Sequence, residues 1–314
     1  MSHEIPKVYN YGSINIDHVY RVPHLVRPGE TLASTSMRQV LGGKGANQSL
    51  ALARAGGHVT HWGRLGEGDR WALAPLHEAG VDVSGVEIVA EASGHALIQV
   101  DDAAENAIIL YPGANHGFDD AHLETLVGSA DTGGWVLMQN ECNASERMLR
   151  LAAKRGLSIA FNPAPLSADV TDLPLDLCQV LFLNRGEAAA LAGQQEATDA
   201  DGLLSALAAR LPEVEVVLTL GDEGVCHQYR GKRTRLAAHR VEAVDTTAAG
   251  DTFIGYFMAA RQRGEDIEQA LRLATTASAL CVQQAGAEPS IPVAETVEEA
   301  LKTLPVLALE RQSD

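Results

Sequence analysis

The chain has 314 residues, enough for one large α/β domain, and its 46% hydrophobic content is ordinary for a globular protein. Its 24 Lys and Arg residues against 41 Asp and Glu residues give a net charge of −17, which disfavours nucleic acid and anionic membranes as partners. The four cysteines lack metal-site spacing and no apolar run approaches a membrane span, so we expect a soluble, cytoplasmic protein.

Short β-rich runs alternate with helical patterns along most of the chain. In chain order the predicted elements are a strand at 8–12, a helix at 46–55, a strand at 59–62, a helix at 70–79, a strand at 135–138, a helix at 144–155, strands at 158–161 and 180–183, helices at 186–192 and 201–210, and a strand at 214–220. This alternation predicts a single domain, residues 1–314, with a doubly wound, mostly parallel sheet and helices on both faces. Ligands bind such sheets beyond the carboxyl ends of the strands.

Two stretches, about 15–42 and 94–111, interrupt the βαβ pattern. The first has strand-like segments around the turn Arg27-Pro28-Gly29-Glu30, and the second alternates apolar residues on either side of a polar turn at 101–106. Both predict antiparallel hairpins set apart from the parallel core. Together they would form a small β lid that closes over a substrate or docks a second subunit.

The run 245–253, Asp-Thr-Thr-Ala-Ala-Gly-Asp-Thr-Phe, places two carboxylates six residues apart, just before a helical pattern. The helix is expected to begin near Gly250, and its unpaired N–H groups and dipole would favour an anion there. Asp251 would then stand beside that anion, as in a phosphoryl-transfer site. The alternative is that Asp251 only caps the helix.

The glycine-rich run 42–48, Gly-Gly-Lys-Gly-Ala-Asn-Gln, follows a strand pattern and opens the helix at 46–55. Glycines allow a ligand to approach the backbone closely, and Asn47 in the first turn would point back toward the loop. This combination suits a polyhydroxylated molecule, and it is not a Walker A loop. A glycine turn needed only for chain geometry is equally compatible with the sequence.

Several polar clusters follow predicted strands, where a doubly wound sheet places its site. Asn15 and Asp17 would share one side of an extended segment and could bind adjacent sugar hydroxyls, or could simply form turns. Helix caps and turns also account for the other clusters, which lie at 139–141, 184–187 and 219–224.

These motifs occur in the order found in the ribokinase family of carbohydrate kinases (phosphofructokinase-B type), which the chain resembles over nearly its whole length. The run 42–48 resembles the N-terminal signature of that family, and 245–253 resembles its C-terminal signature in the Ala-Ala-Gly-Asp form. Further similar blocks occur at 12–18, 28–31, 113–115, 162–165, 219–225 and 286–292. The resemblance implies ATP-dependent phosphorylation of the terminal hydroxymethyl group of a pentose, with D-ribose giving D-ribose 5-phosphate as the expected reaction.

The resemblance also implies roles for individual residues. Asp251 would be the catalytic base, and the backbone of Ala248, Ala249 and Gly250 would form the anion hole. The sugar would be held by Asn15, Asp17, Gly43, Lys44, Gly45, Asn47 and Glu141, together with Asp251 itself. The phosphates with Mg²⁺ and the nucleotide would be contacted by Asn184, Glu187, Thr219, Gly221, Asp222, Gly224, Gly250 and Thr275.

Asp245 would hold a monovalent cation, usually K⁺, that orders the anion-hole loop. The rest of that cage would come from Thr247, Cys281, Gln284, Gly286 and Ser290. By analogy with the family, the polar lid strands imply a homodimer formed through the lid.

The chain departs from the family pattern at two places. In the turn at 66–71 the Asp is displaced by one position to Asp69, and Trp71 replaces a glycine. In the Asn-x-x-Glu block, Arg185 stands where acidic or small polar residues are commoner, and we interpret it as a solvated charge at a helix start. His18, His95 and His116 fall in or near the lid segments and are interpreted as surface or turn residues.

Two other functions stay open at this point. One is a kinase of another small sugar or of a nucleoside, although the 4% aromatic content favours a free sugar over a nucleobase. The other is a sugar-binding protein that has lost turnover, which the intact phosphate-side residues disfavour.

Overall fold

A computed structural model describes residues 5–103 and 105–313 of the chain. The helices of these residues are α1 (Lys44–Arg54), α2 (Leu73–Glu78), α3 (Asp120–Ser129), α4 (Ser145–Arg155), α5 (Arg185–Ala192), α6 (Ala200–Arg210), α7 (Ala249–Gln262), α8 (Ile267–Cys281) and α9 (Ala294–Thr303). The strands are β1 (Val8–Tyr11), β2 (Asn15–Arg21), β3 (Ser36–Gly42), β4 (Val59–Gly66), β5 (Val86–Val89), β6 (Gly94–Val100), β7 (Asn106–Tyr111), β8 (Trp135–Gln139), β9 (Ser158–Asn162), β10 (Val180–Asn184), β11 (Glu215–Thr219), β12 (Val225–Tyr229), β13 (Lys232–Leu236) and β14 (Leu309–Ser313).

Most of these strands form one large sheet in the order β14-β13-β12-β11-β10-β9-β8-β1-β4-β5. Pairing is parallel from β11 to β5, and β12, β13 and β14 extend one edge in antiparallel fashion. Helices cover both faces, and successive residues of one strand enter different cores. On β10, Leu181 belongs to the core that includes residues of α3 to α6, whereas Phe182 belongs to the core that includes residues of α1, α7 and α8. The predicted doubly wound α/β fold is confirmed.

A separate four-stranded sheet, in the order β3-β2-β6-β7, forms the lid. Its two antiparallel hairpins, β2–β3 and β6–β7, correspond to the two predicted segments. The hairpins join through a parallel pairing of β2 with β6. Side chains alternate along these strands, so that Asn15 and Asp17 of β2 and Leu110 of β7 all face the large sheet across a cleft.

Two predicted elements differ from the structure by more than two residues at one end. The strand expected at 59–62 continues to Gly66, because β5 pairs in parallel with Gly63–Gly66 and supports residues of low strand propensity. The helix expected at 70–79 is shorter, since a 3₁₀ turn, Glu67–Ala72, precedes α2. In this altered turn the displaced Asp69 accepts a hydrogen bond from the Ser93 hydroxyl (2.7 Å), so the turn still ties the end of β4 to the lid.

Among residues 5–103 and 105–313, no helix has the length and apolar character needed to cross a bilayer.

Candidate active site

The carboxyl ends of the parallel strands open into a cleft of about 760 Å³ beneath the lid. Predicted site residues from both ends of the chain meet there. Those lining the cleft are Asn15, Asp17, Gly43, Lys44, Asn47, Glu141, Asn184, Glu187, Thr219, Asp245, Thr247, Ala248, Gly250, Asp251 and Gly286.

The other predicted residues do not line this cleft. Ala249 is the first residue of α7, Gly221 and Asp222 form a short 3₁₀ turn after β11, and Thr275 is buried in α8. Cys281 and Ser290 are buried behind the loop that begins at Asp245. The remaining residues of this group are Gly45, Gly224 and Gln284.

The glycine-rich loop is shaped by close backbone contacts. A Cβ atom at Gly45 would lie 2.3 Å from the Ser13 backbone nitrogen, and one at Gly42 would lie 2.2 Å from an oxygen of Asp17. Gly43, with φ 92°, adopts a conformation that side chains disfavour. Chain geometry alone therefore requires glycines here, and the same loop brings Lys44 and Asn47 to the cleft.

Helices α1 and α7 approach each other closely because Gly255 has no side chain. A Cβ atom there would be 2.4 Å from Cβ of Ala51. One turn earlier on each helix, Asn47 and Gln48 of α1 meet Asp251 of α7. The close packing of the two helices thus sets the geometry around this carboxylate.

Asp251 is buried, with 7% of its surface exposed, and accepts two side-chain hydrogen bonds. Nδ2 of Asn47 donates to Oδ2 (3.2 Å), and Nε2 of Gln48 donates to Oδ1 (2.9 Å). Both bonds hold the carboxylate and neither caps the helix, whose N-cap position is Ala248. The capping interpretation of Asp251 is therefore wrong. Sequence reasoning placed Asn47 in the site but did not single out Gln48.

Ala248 and Gly250 at the start of α7 line the cleft, whereas the N–H of Ala249 donates to the Thr246 carbonyl (3.2 Å). Ala248 takes up a left-handed conformation (φ 61°), unusual for a residue other than glycine, and no side chain caps the helix. The exposed Gly250 lines the cleft. An uncapped helix start of this kind attracts anions.

Positive charge beside Asp251 comes from Lys44, the first residue of α1. The Asp251 carboxylate raises the pKa of Lys44, against the lowering effect of burial, and the Glu141 carboxylate adds to the increase. Lys44 is thus held as a cation between the two acidic groups.

Asn15 and Asp17 of the lid strand β2 and Glu141, which follows β8 of the large sheet, form a polar patch where the lid meets the sheet. Oε2 of Glu141 accepts hydrogen bonds from the Ser13 hydroxyl (2.5 Å) and the Lys44 backbone N–H (2.9 Å). Asn115 donates to Oδ1 of Asn15 (2.7 Å) and so fixes its amide. Burial, together with the nearby Glu141 charge, raises the pKa of Asp17 to about 6.

Asn47 carries a further feature that points to a ligand. Its Oδ1 is buried and has no hydrogen-bond partner among the described residues, although the side chain lines the cleft. An unpaired buried acceptor is costly, and a ligand hydroxyl would satisfy it.

The Asn-x-x-Glu block opens α5 as a reciprocal capping box. The Glu187 N–H donates to Oδ1 of Asn184, and the Asn184 N–H donates to Oε2 of Glu187, both at 2.9 Å. The capping interpretation is confirmed, and both residues also line the cleft. Burial raises the pKa of Glu187 despite these bonds. Arg185 does not behave as a simple solvated charge, because it forms an ion pair with Glu223 (2.8 Å) in the turn after β11.

Asp245 ties two loops together below the anion-hole segment. Its Oδ1 accepts from the Thr247 N–H (2.9 Å) and hydroxyl (2.6 Å), and its Oδ2 accepts from the Gly286 N–H (2.8 Å). Burial raises the pKa of Asp245, but the bonds from Thr247 and Gly286 outweigh it, so the net shift is downward. Cys281 donates to the Thr247 carbonyl (3.6 Å), so the residues expected around a cation converge here.

Histidines contribute little to the site. His18 and His95 pack against each other (ring centroids 5.8 Å apart), and neither they nor His116 line the cleft. Among residues 5–103 and 105–313, no three His, Cys, Asp or Glu side chains cluster to hold a metal ion.

The sequence profile described as the pfkB family carbohydrate kinase matches residues 6–294. The chain belongs to the pfkB family of carbohydrate kinases. This kinase is 34% identical to the ribokinase of Haemophilus influenzae over 297 residues, which cover 93% of this chain and 97% of the relative.

Two solved structures resemble the kinase closely. A ribokinase from Cryptococcus neoformans var. grubii serotype A, in complex with ADP, has a TM-score of 0.83 at 33% identity and covers 94% of this chain and 100% of its own. Arabidopsis thaliana ribokinase, complexed with ribose and ATP, has a TM-score of 0.83 at 31% identity, covering 95% of this chain and 98% of its own.

Proposed function

We propose that this kinase transfers the γ-phosphoryl group of ATP to the terminal hydroxymethyl group of D-ribose, giving D-ribose 5-phosphate and ADP. The observation that carries the proposal is the buried Asp251 carboxylate, held by two amides in a polar cleft at an uncapped helix start. The ribokinases among its relatives, one of them complexed with ribose and ATP, support the choice of substrates.

In the proposed reaction Asp251 accepts the proton of the sugar hydroxyl as the hydroxyl oxygen attacks the γ-phosphorus, and the bond from that phosphorus to the β-phosphate oxygen breaks. The backbone N–H groups of the segment Ala248, Ala249 and Gly250 stabilise the charge on the transferring group. Lys44 supplies a positive charge near Asp251.

Hydroxyl groups of the sugar would be bound by the polar patch where the lid meets the sheet. Asp17 and Glu141 accept hydrogen bonds, and the free Oδ1 of Asn47 accepts one more. Asn15, Gly43 and Gly45 complete the proposed sugar site. These groups accept from or donate to hydroxyls in a fixed arrangement, which suits a polyhydroxylated ligand.

The proposed nucleotide side consists of groups at the ends of β10 and β11 and on α8. Glu187 and Asn184 offer carboxylate and amide oxygens in the same cleft, a donor set that fits Mg²⁺ on the ATP phosphates. When bound, Mg²⁺ neutralises phosphate charge. The other nucleotide contacts proposed are Thr219, Gly221, Asp222, Gly224, Gly250 and Thr275, whose buried Oγ1 has no partner among the described residues.

A K⁺ site is proposed around Asp245. Its lowered pKa keeps the carboxylate ionised, and among the described residues the Thr247 carbonyl has only the weak thiol donor of Cys281 as a partner. Oxygen ligands of this kind suit a hard monovalent cation. The remaining proposed ligands are Cys281, Gln284, Gly286 and Ser290, and the bound ion would order the loop that carries the anion hole.

A nucleoside is a weaker candidate than a free sugar. The lid presents aliphatic side chains to the cleft, among them Ile98, Ile108 and Leu110, and Phe182 is the one aromatic residue among the described residues lining it. Among the described lid residues that line the cleft, none is aromatic, so a nucleobase would have nothing on the lid to stack against. A non-catalytic sugar-binding protein would have no need for Asp251, Glu187 and Asp245 in one cleft.

We also propose a homodimer formed through the outer face of the lid, in the cytoplasm. On the strands that line the cleft with alternate residues, Leu97, Ile109 and Tyr111 are 39%, 64% and 52% exposed. Large apolar side chains exposed side by side typically mark an interface. Sedimentation velocity on the intact chain should give the mass of a dimer, and a monomer at micromolar concentration would refute this assembly.

The substrate assignment is tested by a coupled ADP-release assay over pentoses, hexoses and nucleosides, with and without K⁺. D-ribose should have the highest kcat/KM and should need K⁺ for full activity. A nucleoside or hexose turned over faster than every pentose would overturn the assignment.

A further inference from the structure

A chain of buried amides leads from Asp251 into the centre of the molecule. Gln48, Gln139 and Asn10, here called the amide relay, are at most 1% exposed. They come from α1, β8 and β1, and the relay lies directly beneath the cleft. The roles proposed above use only the bond from Gln48 to Asp251 and assign nothing to Gln139 or Asn10.

The relay has a defined direction. Nε2 of Gln139 donates to Oε1 of Gln48 (2.7 Å) and also to Oδ1 of Asn10 (2.9 Å). Because Oε1 of Gln48 faces a donor, its Nε2 must face Asp251, to which it donates at 2.9 Å. Gln139 thus fixes which end of the Gln48 amide meets the carboxylate.

The far end of the relay is fixed in the same way. Nδ2 of Asn10 donates to the Gly45 carbonyl and to the Ser49 hydroxyl, both at 2.8 Å. His61 contacts Ser49 through Nδ1 (2.8 Å) and the Gly12 carbonyl through Nε2 (3.1 Å). Since a carbonyl only accepts, Nε2 carries the proton and the Ser49 hydroxyl donates to Nδ1. Burial lowers the pKa of His61 to about 4, which agrees with this neutral form.

The relay contains one buried atom that a purely structural network would avoid. Oε1 of Gln139 has no partner among the described residues, which costs stability. Gly12 leaves the space for it, since a Cβ atom there would be 2.8 Å from this oxygen. The arrangement keeps both N–H groups of Gln139 pointing at the relay at the expense of its own carbonyl.

We propose that Gln48, oriented by Gln139, is the positioning residue that aims Asp251 at the sugar hydroxyl. The proposal rests on the proposed role of Asp251 as the base. A hydrogen bond to the ionised form favours that form. With Oδ1 held by Gln48, Oδ2 is the oxygen that meets Asn47, whose side chain lines the cleft.

The test replaces Gln48 and Gln139 separately by methionine, which keeps most of the volume but removes the donors. Both variants should lose kcat about 10- to 100-fold, while the ribose KM stays within about threefold, because the carboxylate is misaimed and the sugar contacts remain. The apparent pKa of the acid limb of the kcat pH profile should rise by about one pH unit. The effect of Gln139→Met is diagnostic, since Gln139 does not touch Asp251.

Ser49→Ala is the matched control. It removes a buried hydroxyl next to Gln48 on α1, but Asn10 keeps its bonds to Gly45 and Gln139. It should lower the melting temperature as much as the methionine variants do without moving the acid limb. The proposal is overturned if the methionine variants keep the wild-type pH profile, or if Ser49→Ala shifts it equally.

If Gln48→Met does not fold, Gln48→Glu is tested in its place, because glutamate has the same shape as the native glutamine. A second carboxyl group at the 2.9 Å position of the Gln48 amide should raise the apparent pKa of the acid limb further. An apparent pKa equal to that of the wild type would refute the proposal. Asp251→Asn separates the two claims. An active Asp251→Asn refutes the base itself, whereas an inactive one with normal Gln48 variants refutes only the relay.

Discussion

The floor of the cleft and its lid are built differently. On the floor, α1 and α7 are packed closely and the side chains around Asp251 are joined by hydrogen bonds. The lid instead presents Ile108 and Leu110 of β7 to the cleft at 57% and 48% exposure. Groups that do chemistry need fixed positions, whereas a cover that admits a substrate needs surface that becomes buried only when the substrate is bound. We therefore expect floor substitutions to change kcat and lid substitutions to change the sugar KM.

The largest effect is expected on the floor. Asp251→Asn keeps the size and the position of the side chain but removes the base, so kcat should fall about 10²- to 10⁴-fold. Steady-state kinetics with saturating ATP would measure this. Turnover within about threefold of the wild type would exclude Asp251 as the base.

The second test concerns the loop that supports the floor. Asp245→Asn removes the charge proposed to hold K⁺, so the K⁺ concentration for half-maximal activation should rise at least about tenfold, because a charged ligand is lost. Thermal shift measured as a function of K⁺ concentration gives a second readout that does not depend on turnover. Glu242→Gln, which removes an exposed charge nearby in the sequence, should leave the K⁺ dependence of both activity and thermal shift unchanged. If Asp245→Asn also leaves both unchanged, Asp245 does not belong to the cation site.

The third test uses pH and the polar patch. The pKa of Asp17 is raised to about 6, so the carboxylate is ionised above pH 6 and becomes neutral as the pH falls below it. Protonation removes an acceptor for sugar hydroxyls, and the ribose KM should rise about tenfold between pH 7 and pH 5. In Asp17→Asn the KM should be high and should lose this dependence. A wild-type KM that stays flat down to pH 5 would contradict the proposed role of Asp17.

The smallest effect is expected from the lid wall. Leu110 lines the cleft, and if it packs on the sugar as we propose, Leu110→Ala should raise the ribose KM about fivefold, for a loss of roughly 1 kcal/mol, with kcat unchanged. Ile109→Ala, on the opposite face of the same strand, is the control and should leave the KM within about twofold. Equal changes in the ribose KM for the two substitutions would mean that the cleft-facing side of the lid has no specific role in sugar binding.

The parallel core and both lid hairpins could be predicted from the sequence, because runs such as residues 214–220 carry a clear pattern. Several elements at the edges received no assignment. The last strand, β14, reads Leu-Glu-Arg-Gln-Ser, and it forms a strand because β13 pairs with it. The helix α8 buries Ala274, Thr275 and Ala277, small residues that make a weak apolar stripe.

The site was predicted at the level of motifs, and its internal contacts were not. Asn47, Asp251 and Glu141 were identified from family signatures, and the structure brings them into one cleft. Gln48 lies in the same motif as Asn47, but its importance depends on Gln139. Gln139 is distant in sequence and contacts Gln48 only because the fold places β1, β8 and α1 side by side. Hydrogen bonds between elements of this kind leave no periodic signal in one sequence.

The most direct measurement of the division between floor and lid is calorimetric titration of ribose into Asp251→Asn, on the same preparation used for kinetics. The account predicts ribose binding within about threefold of the wild type, because the lid-side groups are intact, together with loss of turnover. Ribose affinity that falls as far as kcat would contradict it, since the floor would then be binding the sugar rather than performing the chemistry.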